Sequence, residues 1–164
     1  MKGIKSLTAS VVLTLAVVAG SSLAVAAAVQ HEQRFLNVED LIWQQAPPAL
    51  PPGAKVTILY GNPFHRGPFV IRMETTAGYV IPPHYHSMPE NLTVLSGTLY
   101  IGDGDVVNEA KAHALKAGGY HYLPARSHHY AFSKEPAVVQ LHGNGPFDII
   151  YLNPKDDPRK KSMQ

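Results

Sequence analysis

No cysteine occurs anywhere in the 164 residues. A chain of this size must hold its fold without disulfides, and any metal it binds must be held by nitrogen and oxygen donors alone. Thiolate zinc sites and thiol nucleophiles are excluded, as is the lipid-bearing cysteine that follows the apolar run of a bacterial lipoprotein leader. Charge is scarce too, with 14 basic and 12 acidic side chains. Lys2 and Lys5 are the only charged groups in residues 1–28, so a chain lacking that segment carries twelve of each sign. No lysine-rich run or basic helix is present, and a neutral chain gives no electrostatic reason to expect nucleic acid as a partner.

What is there begins with a cationic start, Met1 to Lys5, then an apolar run over 11–19, then the small-residue stretches Ala24-Val25-Ala26 and Ala26-Ala27-Ala28. This is the three-part layout of a secretory signal peptide. Gly20-Ser21-Ser22 interrupts the apolar run just before those sites, which favours cleavage over an uncleaved membrane anchor. The chain therefore reads as a signal peptide (1–28), an N-terminal arm with a proline-rich connector (29–53), a barrel (54–154) and a charged tail (155–164). A periplasmic or secreted protein with no stable membrane span after cleavage is expected.

The arm carries Leu36, Val38, Leu41, Ile42 and Trp43 as apolar positions, suited to packing on the barrel or on a second subunit. Pro47-Pro48 and Pro51-Pro52-Gly53 then make a stiff connector with too few amide donors for a helix. Short strand-like runs follow at 55–60, 69–76, 79–86, 90–95, 98–101, 120–123, 129–132, 137–142 and 147–152, many separated by Gly, Pro, Asn or Asp. Many short strands argue for an all-β antiparallel sandwich or barrel. The stretch 108–115, NEAKAHAL, has helical composition and is expected to form a short helical turn or an irregular loop.

Between Gly78 and Gly97 lies GYVIPPHYHSMPENLTVLSG. In a strand, side chains two apart share a face, so His84 and His86 can grip one ion while Tyr85 faces away. Glu90 follows the Ser87-Met88-Pro89 turn and returns opposite them as an oxygen donor. Two imidazoles and a carboxylate suit Fe(II), Mn(II), Ni(II) or Zn(II), and a fourth ligand is sought in GGYHYLPARSHHYAF, where Pro124 ends one strand and His129 starts the next.

These two stretches resemble the paired motifs of the cupin superfamily. The first matches at Gly78, His84, His86, Glu90 and Gly97, the second at Gly118, Pro124 and His129. Arg126 stands where the family usually has glycine and Ser133 where it usually has asparagine. The resemblance implies a cupin-type jelly-roll β-barrel holding one divalent metal ion (Fe, Mn, Ni or Zn) on His84, His86, Glu90 and His129. It further implies a small-molecule ligand or substrate and a homodimer, the common state of single-cupin domains. Oxygenase or isomerase chemistry is one reading, and a non-catalytic metal-binding or sensor module is the alternative.

The remaining polar residues keep two readings each. His128 should face away from His129, on the surface. Gln140 and His142 share one face, which is either the barrel interior or its rim. His121 alternates with Tyr120 and Tyr122, so either the histidine or the tyrosines line the cavity. His31, His65 and His113 read as loop residues, Arg72 with Glu74 as an outer charged pair, and Arg159-Lys160-Lys161 as a solvated tail.

Overall fold

The computed structural model describes residues 33–161, so the expected signal peptide (1–28), like His31, lies outside the described residues. Runs rich in Val, Ile, Leu, Tyr and Thr become strands β1 (Gln44–Gln45), β2 (Ala54–Tyr60), β3 (Gly67–Thr75), β4 (Val80–Tyr85), β5 (Glu90–Ser96) and β6 (Thr98–Asp103). They continue as β7 (His113–Lys116), β8 (Tyr120–Leu123), β9 (His129–Phe132), β10 (Ala137–Gly145) and β11 (Ile150–Tyr151), followed by a single helical turn, α1 (Pro158–Lys161). Two antiparallel sheets result, ordered β1-β2-β3-β10-β5-β8 and β11-β4-β9-β6-β7. This is the all-β antiparallel arrangement that the strand spacing anticipates, in the jelly-roll form that the cupin resemblance implies.

Period-2 alternation puts the core between the sheets. Met73, Leu92, Val94, Val139 and Leu141 face inward from one sheet, and Ile81, Leu99, Ile101, Ala131 and Tyr151 from the other. Each fully buried Val, Leu or Ile contributes roughly 1.5–3 kcal/mol relative to exposure. The corner from β5 into β6 depends on Gly97, whose φ is +71° and whose missing Cβ would sit 2.3 Å from the Pro136 carbonyl oxygen. Any side chain there would collide with the backbone that leads into β10, the neighbour of β5 in the same sheet.

The connector docks, and part of the arm does not. Ala46, Ala49 and Leu50 pack on the core, and the Tyr151 hydroxyl donates to the Ala49 carbonyl at 2.8 Å. Gln44–Gln45 adds a short edge strand beside β2, whereas Phe35, Val38 and Ile42 are exposed.

Several local expectations are corrected. The short helical turn expected in 108–115 is there, as a 3₁₀ turn at Glu109–Lys111 capped by the Asn108 side chain, but the end of the stretch is not loop, since His113–Lys116 pairs with β6 as a strand. His113 therefore opens β7 rather than sitting in a loop. The run 147–152 shortens to Ile150–Tyr151. Arg72 donates from Nε to Gln140 at 3.2 Å on the outer face, and no Arg72–Glu74 ion pair forms among the described residues. Arg159 is not merely solvated, since it pairs with Asp157 and donates to the Ile149 carbonyl. Among the described residues no helix is long and apolar enough to cross a membrane.

Candidate metal centre

β4 and β9 lie side by side, with Ile81 opposite Ala131 and His84 opposite His129. The step between those pairs is one residue longer on β4, so Pro82-Pro83 forms a bulge. Strict alternation from the buried Ile81 would turn His84 outward. The extra residue resets the parity and brings His84 and His86 into the barrel.

His86 follows the last residue of β4, Glu90 opens β5 and His129 opens β9. All four side chains are buried, at 2–6 % exposure. The nitrogens of His84, His86 and His129 lie within 4.8 Å of one another. Ring centroids are 4.0 Å apart for His84 and His129, 5.0 Å for His84 and His86, and 5.2 Å for His86 and His129. Only these three satisfy that spacing among the described residues, and Glu90 joins them through His86, Oε2 to Nε2 at 3.1 Å.

The backbone sets the tautomers. His84 Nδ1 meets the Pro82 carbonyl at 2.7 Å, His129 Nδ1 meets that of Ser127 at 3.2 Å, and His86 Nδ1 meets that of Asp148. A carbonyl only accepts, so each Nδ1 carries a proton and Nε2 is the nitrogen left for an ion. His86 has acceptors at both nitrogens and is held as an imidazolium.

The electrostatics agree with that assignment. Burial, then the charges of His129 and His86, hold the His84 pKa well below the ordinary histidine value. Burial pushes His129 down to about 4 despite the opposing pull of Glu90. Burial also penalises charge on His86, but the hydrogen bond and charge of Glu90, with the Asp148 carbonyl, outweigh it and raise the pKa. Burial alone would raise Glu90, and its bond to His86 holds it below the usual carboxylate value instead. Two imidazoles are thus already neutral, the state an ion requires, and the third exchanges a proton for the ion. Three nitrogen donors and an adjacent carboxylate fit a divalent Fe, Mn, Ni or Zn ion.

The walls include residues that no motif announced. Phe147 stacks on His86 at 4.4 Å, Tyr151 approaches His84 at 5.9 Å, and the Asp148 carboxylate accepts the Ser87 N–H at 2.7 Å. Their late position in the chain carries no spacing that ties them to His86. His128 faces outward, bonded to Asp105 at 2.7 Å and stacked on Tyr85. Gln140 and His142 lie outside, because Val139 and Leu141 take the inner face of β10. On β8 the tyrosines are exposed and His121 turns inward.

Residues 31–148 match the family model described as the ChrR Cupin-like domain. No curated protein matches the chain. Among solved structures it is similar to the polyketide cyclase RemF from Streptomyces resistomycificus, with a TM-score of 0.65 at 12 % identity, covering 81 % of this chain and 94 % of that one. An RmlC-like cupin from Ralstonia eutropha gives 0.59 at 19 % identity, covering 80 % and 83 %. A candidate acetylacetone dioxygenase from Methylibium petroleiphilum gives 0.58 at 19 % identity, covering 77 % and 85 %. At these identities the likeness is one of fold.

Proposed function

The chain belongs to the ChrR cupin-like family, and from that premise we propose that it is an exported metal-binding cupin acting as a metalloenzyme on a small oxygenated substrate. The observation that carries this reading is the convergence of three buried imidazoles whose Nδ1 atoms are all occupied by backbone carbonyls. His84, His86 and His129 would supply nitrogen, and Glu90 a carboxylate oxygen. A divalent ion held there would polarise a chelating substrate or activate dioxygen, as dioxygenase-like chemistry requires. The chain's own contribution is orientation and exclusion of water: Phe147 and Tyr151 wall the site, and the carbonyls fix the rings. Export rests on residues 1–28, and small-molecule ligands are the partners that four buried ligand candidates suit.

The test is to purify the protein without chelator, identify its metal and compare His129→Ala. Wild type is expected to carry about one ion per chain and the variant to lose it; equal trace metal in both would sink the reading. A non-catalytic ion or ligand carrier is the second reading. Oxygen uptake with a panel of small acids, phenols and thiols separates the two, and cell fractionation tests export.

A further inference from the structure

β8 pairs with β5 so that Leu123 lies opposite Glu90 and His121 opposite Leu92. Residues facing each other across an antiparallel pair share a face, and Glu90, Leu92 and Leu123 are all buried. His121 therefore lies on the inner face, as the diagonal neighbour of Glu90 at a separation of about 7–8 Å. Tyr120 and Tyr122, 56 % and 54 % exposed, take the outer face.

Two further features distinguish this histidine. It is half-buried on the edge strand of its sheet, so one side looks at the cluster and the other at solvent. Its side chain has no hydrogen bond, ion pair or ring contact within the described residues, whereas His84, His86, His128 and His129 are all engaged. The field of His121 reaches Glu90 and His129, as expected of a group beside both.

Three neutral imidazoles and one carboxylate leave a divalent ion with a net charge near plus one, so an incoming ligand is favoured when it is an anion. We propose that His121 is the residue that receives that ligand: a small anion enters beside Glu90, and the free imidazole donates a hydrogen bond to it. This rests on the metal reading above and adds the class of ligand and the residue that selects it.

The experiment loads the protein with Co(II), follows its visible absorption, and titrates azide as the anionic probe. His121→Ala is expected to keep one Co(II) per chain and to bind azide about tenfold more weakly, the size of one hydrogen bond to a charged group. His121→Gln, which keeps a donor, should recover part of that loss, and the outer-face variant His142→Ala should match wild type. Azide affinity within twofold of wild type in a Co(II)-loaded His121→Ala overturns the proposal while leaving the metal reading standing. Loss of Co(II) from both His121 variants also overturns it, by making His121 a ligand. Failure of the wild type to take up Co(II) sinks the metal reading and this proposal together.

Discussion

His86 Nε2 and Glu90 Oε2 meet at 3.1 Å inside the barrel, with both side chains under a tenth exposed. The proton between them occupies the direction an ion would take. Metal uptake should therefore release a proton from His86 in more than half of the molecules at pH 6.5, because the pKa of that ring is raised above the ordinary histidine value.

Glu90→Gln removes the charge that holds the proton, so burial should leave His86 neutral. Proton release at pH 6.5 should then fall close to zero, and metal affinity should drop roughly ten- to a hundredfold. Calorimetry in buffers of different ionisation enthalpy measures both quantities. Unchanged proton release in the variant would show that Glu90 does not control His86.

The metal-free fold should weaken in acid. His84 and His129 have folded-state pKa values below the unfolded value of 6.5, so between about pH 6.5 and 4 the unfolded chain binds more protons and stability falls with pH. His129 alone, held at about 4, contributes about 3 kcal/mol over that window. His86 works oppositely: its raised pKa gives stability that is present below 6.5 and lost as pH rises through the folded value. Chelator-treated protein unfolded in urea at pH 7, 6, 5 and 4 should show a falling midpoint, and a flat one would contradict the assignment.

The Tyr79 hydroxyl is buried with no hydrogen-bond partner among the described residues. An unpaired buried hydroxyl costs about 1–3 kcal/mol, so Tyr79→Phe should leave the melting temperature unchanged or raise it. A clear loss of stability would reveal a partner for that oxygen.

Arg126 holds a φ of +65° while its N–H donates to the His86 carbonyl at 2.8 Å. The left-handed region costs a residue with a Cβ about 1–2 kcal/mol, partly offset in a glycine variant by the looser unfolded chain. Arg126→Gly should stabilise the protein by up to about 1 kcal/mol, read as a higher urea midpoint, with unchanged metal content. The cupin pattern usually has glycine at this turn, and the backbone geometry gives the reason.

His84, His86, Glu90 and His129 could be singled out from sequence because their spacing is local and two short motifs frame it. Their inward aim was less visible, since it depends on a bulge at Pro82-Pro83 that simple alternation does not foresee. His121 illustrates the limit: alternation left two choices, and only the pairing of Leu92 with His121 decides between them. Gln140 and His142 keep two readings in the sequence for the same reason, and the pairing of β10 with β3 and β5 places them outside. NEAKAHAL has helical composition, but pairing with β6 outweighs that weak preference. The strand expected over 147–152 breaks because Phe147 and Asp148 are drawn toward His86 and Ser87.

Asp148 reaches back across the chain with both its carbonyl and its carboxylate, to His86 and Ser87. A polypeptide made from its N-terminus presents all four ligand candidates before the group that orients His86 exists. Until that last segment docks, the quartet is an open and poorly aimed chelator. On the metal reading, a chain cut short before residue 148 should bind an ion more loosely than the whole chain, because His86 loses the carbonyl that orients it.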